Sequence, residues 1–235
     1  MKRAVVLILL LALVVPACAT TPAETDKKPT AKESQTAASS GSTQVMMLGR
    51  SVMNGWFTHW TGDSSQPYNK EGFSLYYREI DGPDSIMDSV QSRVEEDGGG
   101  AGIVFFKLCF VDFNGDDRDS ARSNLKRNQA YAQKAYDVMV ARAGKKLVIG
   151  NALPQVKGAT TYDLVWNHRE YNKWLNDFAA AHSGQVWIFD QYGILADGSG
   201  YLKSGYETSA DDSHPNDAGY SAMDGPFFDL LKSVR

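Results

Sequence analysis

The chain has 235 residues, with 24 Lys and Arg against 28 Asp and Glu and 43% hydrophobic residues. That length supports one domain with a sizeable core. The mildly acidic balance, with no basic block, argues against a nucleic-acid partner, and the spacing of the two cysteines, Cys18 and Cys109, matches no zinc site.

Lys2 and Arg3 precede an unbroken apolar run from Ala4 to Val15. The run is short for a bilayer span and has the flanks of an export signal. It ends in Val15-Pro16-Ala17-Cys18, which resembles the lipobox of bacterial lipoproteins. That resemblance implies cleavage before Cys18 and lipid attachment to it. With Ala19 next rather than Asp, it implies the outer membrane, facing the periplasm or the surface. Ala19 to Thr43 contains no large apolar residue and reads as a flexible tether. The expected organisation is therefore signal 1–17, tether 18–43 and folded domain 44–235. With Cys18 lipidated, Cys109 is left alone and no intrachain disulfide is expected.

Val45 to Leu48 is a continuous apolar run, as for a strand buried on both faces. A turn into a short helix or loop follows from Ser51. Thr61 to Gly72 is polar and reads as surface loop. Phe73 to Ile80 predicts a second strand, and Ser85 to Glu95 a helix broken by Gly98-Gly99-Gly100. Ile103 to Val111, the most apolar run of the mature chain, predicts a central strand. Ser120 to Ala143 has helical periodicity, and Leu147 to Asn151 predicts a fourth strand. Thr160 and Asp163 have capping-box spacing before a helix to about His182. Val186 to Asp190 predicts a fifth strand, and Pro215 suits the first turn of a final helix. Strands alternating with helices predict a three-layer α/β/α sandwich with a five-stranded parallel sheet. Reacting groups in such sheets collect at the carboxyl ends of the strands.

Two motifs carry chemistry. Gly49-Arg50-Ser51 directly follows the first strand. Asp211-Asp212-Ser213-His214-Pro215-Asn216 lies near the other end of the chain. An imidazole serves as general base when a carboxylate holds its second nitrogen. Ser51 as nucleophile, His214 as base and Asp211 as its orienting carboxylate form the expected triad.

With these motifs the chain resembles the SGNH, or GDSL-like, hydrolase superfamily over roughly residues 45–232. Gly49-Arg50-Ser51 corresponds to the family's Gly-Asp-Ser. Asp211-x-x-His214, with Pro215-Asn216 and Gly219-Tyr220, matches its last block, and Tyr171-Asn172 also looks familiar. The resemblance implies a flavodoxin-like sandwich and ester hydrolysis without a metal or other cofactor. It also implies oxyanion donors from the backbone of Ser51 and from Gly82 after the second strand. The family's Gly-x-Asn after the third strand is missing; Cys109 or its neighbours stand there, with Asn151 as a substitute donor. Arg50, Trp56 and Cys109 are the expected substrate contacts, and Trp56, Trp60, Tyr68 and Tyr162 a candidate sugar-stacking rim.

His168 and His182 fall on an apolar helix stripe and read as buried, hydrogen-bonded core residues, while His59 fits loop or pocket. The acidic run Asp112 to Asp119 has its Gly115 misplaced for an EF-hand; it reads as a solvated loop or helix N-terminus. Lys107 inside an apolar strand either snorkels or pairs with Asp112 or Asp81. The leading expectation is a monomeric, lipid-anchored envelope esterase acting on a small ester or an acylated glycan, by hydrolysis or acyl transfer. The rivals are a non-catalytic envelope binding protein on the same fold and a calcium-stabilised structural lipoprotein.

Overall fold

Apolar runs of four to seven residues, each followed by an amphipathic stretch, build the sheet and its two covering layers. The computed structural model describes residues 41–115 and 117–235. The expected signal, the lipid-bearing Cys18 and the tether up to residue 40 lie outside the described residues. In chain order the elements are β1 (Thr43–Gly49), α1 (Ser51–Thr61), β2 (Tyr68–Lys70), β3 (Phe73–Glu79), α2 (Ile86–Glu96), β4 (Ile103–Lys107), α3 (Arg118–Tyr136), β5 (Lys146–Gly150), α4 (Tyr162–Ala181), β6 (Val186–Phe189), α5 (Gln191–Leu195), β7 (Glu207–Ser209), β8 (Asp212–Pro215) and α6 (Asp217–Val234).

The main sheet has the order β2-β3-β1-β4-β5-β6. All pairs from β3 to β6 are parallel, which gives the expected five parallel strands in flavodoxin-like order. Strands β1, β4 and β5 are central, and nearly all their residues are buried. Alternate residues feed two cores. Met46, Leu48, Val104, Phe106, Leu147 and Ile149 pack beneath α2, α3 and α4. Val45, Met47, Phe105 and Val148 pack beneath α1 and α6.

Several boundaries differ from the sequence reading. The polar segment 61–72 contributes β2, an antiparallel edge strand on β3. The third parallel strand stops at Lys107. Asp112 takes the backbone N–H of Cys109 at 2.7 Å and closes a 3-10 turn, Phe110–Phe113. The cap of α4 is Thr161, whose side chain accepts from Leu164 N, one residue later than the Thr160 expected. Pro215 ends β8 instead of opening the last helix, and Asn216 caps α6. The hairpin β7–β8 replaces what reads as a loop before His214.

Candidate active site

Gly49 ends β1 and Ser51 opens α1. A Cβ at position 49 would come within 2.6 Å of Met53 Cβ, so only glycine lets the chain turn this tightly from strand into helix. Ser51 is thereby exposed at the carboxyl edge of the sheet. Its N–H is among the first of α1, which have no partner within the helix. His214 lies on β8. Its Nε2 is 2.9 Å from Ser51 Oγ, and its Nδ1 is 2.6 Å from Asp212 Oδ1. The sequence motifs 163 residues apart therefore meet.

The carboxylate is Asp212 and not the expected Asp211. Residues two apart on a strand share a face, and residues three apart do not. With 212–215 extended as β8, Asp212 shares the face of His214. Asp211, at the preceding turn, accepts from Ser209 Oγ at 2.6 Å. The backbone N–H of His214, followed by its ring, holds the Asp212 carboxyl below its ordinary range. The Asp212 and His214 side chains are 42% and 34% exposed, so a substrate has access. Phe110 packs edge-on against the His214 ring at 5.3 Å. Sequence reasoning missed this residue, because it sits in the turn that replaces the end of the expected strand.

Gly82 follows β3, the neighbour of β1, and is exposed at the same edge. Asn151 does not serve as the substitute donor. Its Nδ2 donates to Asp190 at 2.6 Å, and its Oδ1 accepts from Tyr192 N at 2.8 Å. It directly follows β5, two strands from β1, or roughly 10 Å by ordinary strand spacing.

The three expected substrate contacts also change role. Arg50 turns inward and pairs with Asp112. Their side chains are 14% and 0% exposed. The ion pair ties the turn after β1 to the turn after β4, because a guanidinium this deep needs a carboxylate partner. Trp56 is fully buried on α1, stacked on Phe189, with its Nε1 donating to Asp224 at 2.8 Å. Cys109 is buried in the α1/α6 core layer. The aromatic rim does not assemble: Trp60 stacks on Tyr68 over the core, while exposed Tyr162 lies on α4 beside Arg118.

The remaining singled-out residues resolve as follows. His59 bridges α1 and α6 through Asp217 and Ser221, both at 3.2 Å. Asp217 is 93% exposed there, and the contact is a surface one. His182 Nδ1 meets the Phe178 carbonyl at 2.8 Å. His168 is fully buried, but neither ring nitrogen has a partner among the described residues; burial alone pushes its pKa down to about 3. Asp117 caps α3. No metal-holding group of His, Cys, Asp and Glu occurs among the described residues. Lys107 does not snorkel, being 1% exposed at the end of β4, and forms no ion pair among the described residues.

A parallel sandwich with a serine–histidine–carboxylate array at the carboxyl edge defines a class, and solved structures share the fold. The chain is similar to a GDSL-like lipase from Bacteroides thetaiotaomicron (TM-score 0.59, 14% identity, 82% of this chain and 89% of that one). It is also similar to a lipase/acylhydrolase from Enterococcus faecalis (TM-score 0.56, 12% identity, 81% and 96%). An acetyl xylan esterase matches at TM-score 0.50 and 15% identity, over 80% and 99% of the two chains. This chain thus has the SGNH/GDSL-like hydrolase fold. No family model and no curated protein matches its sequence.

Proposed function

We propose that the protein is a serine esterase or acyl hydrolase, tethered by lipid on Cys18 to the bacterial envelope and acting on a small ester or an acylated glycan. The observation that carries this reading is the relay Ser51 Oγ to His214 Nε2 and His214 Nδ1 to Asp212. Ser51 attacks the ester carbonyl while His214 takes its proton, later giving it to the leaving alcohol. Asp212 fixes the tautomer and stabilises the imidazolium. The N–H groups of Ser51 and Gly82 receive the oxyanion. Water, or a second alcohol, then resolves the acyl-enzyme. The fold shared with lipases and acylhydrolases supports the reading.

The rival of a non-catalytic binding protein gains only from the missing Gly-x-Asn. A serine in hydrogen-bond reach of an oriented, accessible imidazole weighs against it. Hydrolysis of p-nitrophenyl acetate and butyrate by the protein and by Ser51→Ala separates the two. Turnover abolished by the substitution supports the esterase; equal turnover in both proteins removes the triad.

A further inference from the structure

A group of buried charges lies beneath the nucleophile turn, and the triad does not use it. Lys107 is 1% exposed at the end of β4. Phe105 and Cys109, two residues to either side, pack in the α1/α6 core layer. By strand alternation the Lys107 side chain points into that layer, the one entered by the helix that Ser51 opens. The pairing of β4 with β1 runs to Leu48↔Phe106, so Lys107 comes beside Gly49, two residues before Ser51. On its other flank Gly150 makes room, since a Cβ there would come within 2.9 Å of Lys107 Cβ.

The Lys107 ammonium has one acceptor among the described residues, the Leu108 carbonyl at 3.4 Å, beyond the usual hydrogen-bond range. Two of its three donors are unassigned. The charged groups around it are Arg50 and Asp112, with the Cys109 thiol; Tyr220 of α6 faces the same thiol, and α5 brings only the neutral Gln191. Arg50 and Asp112 bind each other and their formal charges cancel, while Asp112 Oδ1 and Gln191 Oε1 stay without a hydrogen-bond partner among the described residues. A single positive charge is left over, at the strand end where the Gly-x-Asn donor is absent.

We propose, resting on the reading of Ser51 as nucleophile, that the Lys107 ammonium compensates for the missing amide: its field favours the oxyanion formed when Ser51 attacks an ester carbonyl. Attack separates charge without changing the total: the carbonyl oxygen becomes negative, toward the Lys107 ammonium, and the Ser51 proton passes to His214, where Asp212 balances it. A charge held in the protein interior, as Lys107 is, is screened less than one in solution. A buried, unpaired ammonium is also a cost to folding that an apolar residue of similar length would remove, which points to a role other than stability. Lys107 acts through its field alone, with no hydrogen bond to Ser51 or His214 among the described residues, and is therefore not a catalytic residue. Burial, the largest influence, lowers its pKa from 10.5 to about 8. Cys109 and Asp112 oppose that shift, and Arg50 adds to it. The charge is therefore lost as pH rises through about 8.

The test compares wild type, Lys107→Met, Lys107→Gln and Ser51→Ala between pH 6 and 9.5. One readout is p-nitrophenyl acetate turnover. The other is labelling of Ser51 by a fluorophosphonate, followed by intact mass; the Ser51 oxygen–phosphorus bond forms, fluoride leaves and His214 takes the proton. Lys107→Met is expected to lower kcat and the labelling rate about 10- to 100-fold, with KM changed less than twofold. Wild-type rates should decline as pH rises through about 8, and Lys107→Met should lose that decline. Lys107→Gln, which keeps a polar group, serves if the Met variant fails to fold. Wild-type labelling rates in the Lys107 variants, with Ser51→Ala unlabelled, overturn this proposal alone, as does an alkaline decline that persists in them. A wild type that takes no label at Ser51 removes the nucleophile reading and this proposal with it.

Discussion

Asp212 holds His214 at two points through one oxygen. Its Oδ1 accepts the backbone N–H of His214 at 2.9 Å and meets the ring Nδ1 at 2.6 Å. The first bond fixes the carboxylate relative to the chain, and the second fixes the ring relative to the carboxylate. The neutral imidazole is thereby left with its proton on Nδ1 and its lone pair on Nε2, toward Ser51. Asp212→Asn keeps the shape and removes the charge. It should lower kcat on p-nitrophenyl acetate by about 10²- to 10⁴-fold, in the range of comparable triad changes. Asp211→Asn should leave kcat within about twofold, because among the described residues that side chain bonds Ser209 and not His214, and it is exposed. The two variants assayed side by side, with matching circular dichroism, decide which carboxylate serves the histidine.

The Arg50–Asp112 pair joins two turns, and it is buried. Removing one partner of such a pair typically destabilises by about 3–5 kcal/mol, whereas replacing both costs far less. Asp112 is the more demanding half, because it also accepts Cys109 N–H, while Arg127 and Asn128 hold its carbonyl. Asp112→Leu should therefore lower stability by several kcal/mol in urea unfolding. Adding Arg50→Met to it should recover part of the loss. A double variant no more stable than Asp112→Leu contradicts the coupling.

The parallel sheet was legible because its strands are written as apolar runs and its helices as amphipathic ones. Gly49-Arg50-Ser51 and His214 were legible because reacting groups in such sheets gather at strand ends. What was not legible is side-chain direction. Arg50, Trp56 and Cys109 sit next to the right turns in sequence, yet each points into the protein. Trp56 is the middle residue of a helix whose first residue is exposed, so helical rotation carries it to the core face. The Asp211/Asp212 choice depended on whether residues 212–215 are extended. A four-residue strand containing Asp, Ser, His and Pro has no hydrophobic alternation to announce it.

His168 gives a pH prediction from a residue without a proposed chemical role. It is buried between Phe113 and Tyr192, and burial holds its pKa near 3 against an ordinary 6.5. Between those values the unfolded chain carries a proton that the folded chain does not, so stability falls as pH falls below 6.5. The slope from this group is about 1.4 kcal/mol per pH unit. His168→Leu should remove that slope. The urea midpoints of wild type and variant, measured at pH 7 and pH 4.5, should diverge at the lower pH in favour of the variant. Parallel midpoints argue against a neutral, buried ring.

Lys107 makes the complementary prediction on the alkaline side. Its folded pKa of about 8 lies below the ordinary 10.5. The unfolded chain therefore binds the extra proton between those values, and wild-type stability rises with pH across that window. Below pH 8 the full penalty applies, on the order of 3 kcal/mol. Lys107→Met removes the ammonium and keeps a side chain of similar length. At pH 7 its melting temperature should exceed that of wild type by about 5 °C or more, given the usual few degrees per kcal/mol for a domain of this size. At pH 10 the gap should nearly close, because the wild-type amine is then neutral in the folded protein. Calorimetry at both pH values checks this. A gap that does not change with pH assigns the gain to packing, and a variant less stable than wild type at pH 7 gives the buried ammonium a partner that balances its charge.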